Sequence, residues 1–217
     1  MTLSDNLYDR FTNAISVLPL IAILRGIRVN EAVETGLRLY ESGFRLMEIP
    51  LNSPDPFASI AALRGALPAD ALVGAGTVLE TGQIDKLVAC GGELAVMPHA
   101  DAGLIRAAKG AGLVCVPGII TTTEAFMALA AGADALKIFP AELVSPAILK
   151  AINVVLPKGT RLFPVGGITP DNMKPYMDVG VTGFGLGSAL YKPGMSPGQT
   201  AIAAQRFIAA WRTIAAN

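Results

Sequence analysis

Histidine occurs once, as His99, and cysteine twice, as Cys90 and Cys115, in a chain of 217 residues. A single imidazole excludes a histidine-cluster metal site and argues against a zinc-dependent mechanism. His99 itself reads as a solvated or hydrogen-bonded loop residue, with no second metal ligand or nucleophile beside it. Two cysteines do not make a disulfide framework; they fall at a helix end and in a buried strand, which suits reduced core thiols. Charged residues make up only 16%, and seventeen basic and seventeen acidic side chains cancel. No sequence-wide field therefore recruits nucleic acid or an anionic membrane, and an anionic ligand has to be caught locally. Long apolar runs are also missing, and "MTLSDNLYDRF" carries acids with no cationic segment before an apolar one. Neither a membrane-spanning helix nor a signal peptide is expected, and the chain reads as cytoplasmic.

What is abundant is apolar surface and glycine: 52% hydrophobic residues and 23 glycines. A chain of this length and composition suits one domain with one large core, spanning residues 1–217. Short apolar runs recur along it: "PLIAIL" (19–24), "RLMEIPL" (45–51), "ALVGAGTV" (71–78), "ELAVMP" (93–98), "GLVCVPG" (112–118), "ALKIFP" (135–140), "RLFPVGG" (161–167) and "GFGLGS" (183–188). Between them lie helical spacings such as "DAGLIRAAKGAG" and "SPAILKAINVVLP", several opened by Asn, Asp, Ser or Thr and closed by Gly, as helix caps require. Continuous apolar strands alternating with helices predict a parallel sheet buried on both faces. Eight units predict a closed (β/α)8 barrel rather than a doubly wound open sheet, whose glycine fingerprint after the first strand is replaced here by "LRGI". Residues 2–18 have amphipathic spacing and are expected to add a helix across the bottom of the barrel.

Catalytic groups in such barrels sit where strands give way to the following loops. Those positions hold Arg25, Glu48, Thr77, Pro98-His99, Lys137, Gly166-Gly167 and Gly187-Ser188. Lys137 lies between Leu136 and Ile138 in a strand covered on both faces. Desolvation there disfavours the ammonium and leaves some free amine, a nucleophile able to form a Schiff base with a carbonyl. The alternative is a lysine paired for structure or for phosphate contact. Glu48 is likewise a charge in an apolar strand, suited to proton transfer if its pKa is raised, or else paired with Arg25 or Lys137. Arg25 reads as a carboxylate fork or a rim charge, and Thr77 as a site hydroxyl or an ordinary strand threonine. "PVGGITPDN" and "GLGSALY" each follow a strand and precede a helix, where glycines let backbone N–H groups approach an anion.

The stretches "LPLIAILRGI", "MEIPLNSP", "VGAGTVL", "EAFMALAAGADALKIFPAE", "FPVGGITPDNM" and "GFGLGSALY" occur in this order between residues 19 and about 192. They closely resemble the class I pyruvate aldolases that cleave 2-dehydro-3-deoxy-6-phospho sugar acids. The resemblance implies that Lys137 condenses with the C2 ketone and that Glu48 moves the protons. It implies that Arg25 and Thr77 hold the substrate near its carboxylate end, while Gly166, Gly167, Gly187 and Ser188 cradle the phosphate. It also implies a small phosphorylated keto-acid substrate, no cofactor or metal, a homotrimer, and pyruvate and D-glyceraldehyde 3-phosphate as products. Asn52, in "IPLNSP", stands near where gluconate-series members carry an arginine and points to the galactonate branch. Rival readings are a phosphosugar epimerase or thiamine-phosphate-synthase-like barrel, or a non-catalytic phosphosugar-binding protein; none of them needs an imine-forming lysine.

Overall fold

In the computed structural model, which describes residues 7–216, eight parallel strands curl into a ring. They are β1 Leu20–Ile23, β2 Leu46–Pro50, β3 Leu72–Gly76, β4 Leu94–Val96, β5 Val114–Val116 continued by Gly118–Ile119, β6 Leu136–Ile138, β7 Leu162–Pro164 and β8 Phe184–Leu186. Each is buried along its length, as expected of strands covered on both faces. β1 pairs with β2 (Ile21 opposite Leu46) and with β8 (Ile21 opposite Gly185), so it lies inside the ring and not at an edge. The interruption in β5 has a local cause. Pro117 has no N–H to donate to the ladder, so the strand pairs with β4 before it and with β6 after it. The last gap, between β7 and β8, closes through a single bridge, Val165 to Gly185. The ring excludes the open-sheet alternative.

Helices follow the strands in turn: α2 Val29–Ser42, α3 Pro56–Ala66, α4 Thr81–Ala89, α5 Ala102–Gly110, α6 Thr122–Ala130, α7 Pro146–Val155, α8 Met173–Met177 and α9 Pro197–Ala215, with α1 Leu7–Val17 ahead of β1. Several start on the side chains that the sequence offered. Asp101 accepts the Leu104 N–H at 2.7 Å, and Thr121 and Glu124 close a reciprocal capping box. α1 is the expected extra helix, beginning at Leu7; residues 2–6 of the expected span lie outside the described part. Among the described residues no helix is long and apolar enough to cross a membrane.

Two cores follow from the period-2 alternation of the strands. Side chains pointing outward, such as Met47, Ile49, Val73 and Leu136, pack under the helices. Those pointing inward at the lower end, Ile21, Leu46, Leu72, Leu94, Val114 and Phe163, meet Phe11 and Ala14 of α1, which plugs the barrel floor. Polar ties lock the plug in place: Arg161 donates to Thr12 Oγ1 at 2.9 Å and Arg10 to Ala71 O at 3.1 Å. One step further up the same faces, two residues beyond Leu46 and beyond Ala135, the inward positions are Glu48 and Lys137. The closed floor thus leaves one open end, and the two buried charges stand near it.

Candidate active site

Lys137 is held by β6 with 5% of its surface exposed, and Glu48 by β2 with 2%. They form no ion pair with each other, and Glu48 Oε2 is buried without a hydrogen-bond partner among the described residues. An unsatisfied buried carboxyl oxygen costs about 1–3 kcal/mol, so its retention marks a site rather than a core solution. Burial pushes the Glu48 carboxyl above its ordinary range, against the pull of Lys137 and Arg25. Burial also pushes the Lys137 ammonium below its ordinary range; Glu48 opposes that shift and Arg25 adds to it. The two groups therefore approach each other in proton affinity, which is what shuttling a proton near neutral pH requires. Lys137 Nζ sits 4.5 Å from the centroid of the Phe139 ring, two residues along the same strand face.

Room for the carboxyl comes from Gly76, the last residue of β3, where any Cβ would overlap the Glu48 carboxylate. Thr77 follows at φ +56°, a left-handed conformation that a β-branched side chain rarely adopts. That turn lets its Oγ1 accept from Arg25 Nη2 at 3.4 Å, while Arg25 Nη1 donates to Asn52 Oδ1 at 2.5 Å. The same two loops are joined again by Gly26 N–H donating to the buried Ser53 Oγ at 2.9 Å. Arg25 is exposed at the mouth, with its guanidinium held by Asn52 and Thr77.

A cavity of about 230 Å³ opens above Lys137. Arg25, Gly166, Gly167, Gly187 and Ser188 all line it, and Ile23, Phe139 and Val165 form its apolar wall. Gly166 and Gly167 take φ of +108° and +63°, a turn open to glycine and strained for other residues. Asn172 braces that turn by donating to Gly167 O at 2.8 Å. Open space stands beside Gly187. Larger cavities of about 320 and 490 Å³ adjoin at Ser188 and extend away from Lys137 toward Lys192 and Arg206.

Of the residues expected from sequence, six share the cavity, counting Lys137. Thr77 touches it through Arg25, and Glu48 lies beside it, electrostatically coupled to both cations. His99 is exposed in the loop after β4 and does not line this cavity, and the Cys115 thiol, pushed up to about 12 by burial, is inert core. Sequence reasoning missed Phe139, Glu142, Asn172 and the hollow at Gly76. Phe139 was within reach, since it shares Lys137's face by alternation; the hollow was not, because only the packing shows what a glycine makes room for.

The model of the KDPG and KHG aldolases matches residues 11–201. The chain belongs to that family. Aldolases are lyases, and this aldolase is 48% identical over 195 residues to the 2-dehydro-3-deoxy-6-phosphogalactonate aldolase of Escherichia coli (strain K12), covering 90% of this chain and 95% of that one. It is 47% identical over 196 residues to the probable 2-dehydro-3-deoxy-6-phosphogalactonate aldolase of Rhizobium meliloti (strain 1021), with coverage of 90% and 92%. A solved structure described as native KDPGal superposes with a TM-score of 0.90 at 46% identity, over 92% of this chain and 97% of that one. A more distant structure, at 25% identity and TM-score 0.79 over 93% and 97%, is KDPG aldolase from Legionella pneumophila with pyruvate captured at low pH as a covalent carbinolamine.

Proposed function

We propose that the aldolase cleaves 2-dehydro-3-deoxy-6-phospho-D-galactonate to pyruvate and D-glyceraldehyde 3-phosphate through a Schiff base on Lys137. The observation that carries this reading is a buried amine and a buried, unpaired carboxyl beside one cavity, each with its charged form disfavoured. The neutral Lys137 amine attacks the C2 ketone, and Glu48, at first protonated, gives its proton to the departing hydroxyl, so that water leaves behind a protonated imine and a Glu48 carboxylate. Glu48, as carboxylate, takes the proton of the C4 hydroxyl while the C3–C4 bond breaks. The electron pair of that bond passes into the imine as an enamine, and the phosphorylated aldehyde leaves. Glu48 then returns a proton to C3, and water hydrolyses the imine to pyruvate and free amine. Arg25, aimed by Asn52 and Thr77, pairs with the substrate carboxylate. Gly166, Gly167, Gly187 and Ser188 present N–H and hydroxyl donors to its phosphate. The covalent carbinolamine of the Legionella relative supports the amine chemistry, and the names of the two relatives near 48% identity support the galactonate series.

The test is cleavage of the two C4 epimers side by side with pyruvate release as readout. The galactonate epimer is expected to have the larger kcat/KM, with weaker turnover of the gluconate epimer, because a single hydroxyl is poorly rejected by a site that does not bind it. A kcat/KM larger for the gluconate epimer would move the enzyme to the other series.

The working form under this reading is a cytoplasmic homotrimer; the compartment is supported by the substrate, since an acid bearing both a carboxylate and a phosphate does not cross membranes unaided. An assembly is supported by apolar side chains on the outer face of α7 and just before it: Leu143, Ile148, Val154 and Val155 are 67%, 50%, 78% and 54% exposed. Apolar clusters of this kind mark association surfaces more often than free ones.

A further inference from the structure

Glu142 projects from the 3-10 turn Ala141–Leu143 that follows β6 and lines the Lys137 cavity. Its side chain lies flat on the Gly166–Gly167 turn: a Cβ at Gly166 would overlap Glu142 Oε2, and one at Gly167 would stand 2.7 Å from Glu142 Cγ. The backbone beneath is pinned, with Ala141 N–H donating to Val165 O at 2.9 Å and the Tyr176 hydroxyl to Ala141 O at 3.1 Å. The carboxylate itself is not pinned. It is exposed, and none of the ion pairs among the described residues uses it. A negative group thus lies against the turn that the phosphate is proposed to use.

We propose that Glu142 is a resident, displaceable anion of the Gly166–Gly167 turn, which competes with the substrate phosphate and sets its affinity. In the free enzyme it covers the turn; when phosphate enters, like-charge repulsion drives the side chain out toward water, its pinned backbone staying in place. The bound phosphate then holds less tightly than the turn alone would allow, because the competent state has first to be vacated. The consequence is faster release of the phosphorylated aldehyde, a step that limits many enzymes. This inference rests on reading the turn as the phosphate site.

The experiment is a titration of wild type, Glu142→Gln and Glu142→Ala with inorganic phosphate, following the Gly166 and Gly167 amide resonances. Both variants are expected to bind phosphate about tenfold tighter, from loss of one adjacent charge, and KM for the phosphorylated substrate is expected to fall with them. Phosphate shifts that appear only in the variants support the proposal as well. Shifts in wild type with equal or weaker binding in the variants overturn it while leaving the phosphate site standing. A kcat loss of a hundredfold or more with phosphate binding unmoved also overturns it, assigning Glu142 to proton transfer. No shift at either glycine in any of the three proteins removes the phosphate site, and the proposal with it.

Discussion

At the scale of single residues, function and stability oppose each other at two buried charges. Glu48 binds its proton more tightly in the fold than in the unfolded chain. Its contribution to stability is therefore full below its ordinary 4.5 and is lost as pH rises through the higher folded value. Lys137 runs the other way: its contribution is full only above its ordinary 10.5 and is lost as pH falls through the lowered one. Near neutrality both work against the fold. Glu48→Gln is expected to gain about 1 kcal/mol at pH 8 while kcat falls by about 10²–10⁴. Urea melts at pH 5.5 and 8 check the sign, since the gain should widen as pH rises; a gain that shrinks would show that Glu48 is stabilised as the carboxylate. Thr77 is a second case, its left-handed backbone costing about 1–2 kcal/mol. Thr77→Gly is expected to leave the urea midpoint unchanged or raise it slightly, and to raise KM as Arg25 loses a partner. A loss of unfolding free energy of more than about 1 kcal/mol would mean that the hydroxyl serves the fold instead. Lys137, Glu48 and Arg25 were legible in the sequence because a charge in an apolar strand is conspicuous. Glu142 and Asn172 were not legible as site groups, because polar residues in loops are ordinary and only the fold brings these two onto the glycine turn.

At the scale of elements, α1 matters out of proportion to its length. Phe11 is fully buried against the inward faces of the strands, so the barrel floor depends on a residue that precedes the first strand. Phe11→Ala is expected to cost about 3–5 kcal/mol. Chemical denaturation measures it, and a loss under about 1 kcal/mol would show that the strands close without the plug. The helices themselves were readable from caps and periodicity, as "SPAILKAINVVLP" became α7 with Ser145 as its N-cap and Pro146 as its first residue. The break in β5 was not read, although its cause, the missing N–H of Pro117, stands in the sequence: "GLVCVPG" looks like one strand until the ladder on each side is known.

At the scale of the whole molecule, the count of eight apolar runs was enough to expect the ring, because parallel strands covered on both faces have few ways to end. How the ring closes, through a single bridge at Val165, could not be read, since it depends on three-dimensional register. The outer face of α7 bears on assembly: Val154→Lys is expected to lower the mass seen by light scattering toward that of one chain without unfolding it. An unchanged mass would take that face out of the interface. The central claim, an amine that becomes covalently bound to substrate, is tested most directly on the mass of the intact chain. Borohydride reduction in the presence of pyruvate should add one reduced pyruvyl group, with peptide mapping locating it on Lys137 and Lys137→Met staying unmodified. Folded wild-type enzyme that cleaves its substrate yet acquires no adduct, or acquires it on another lysine, would contradict the account.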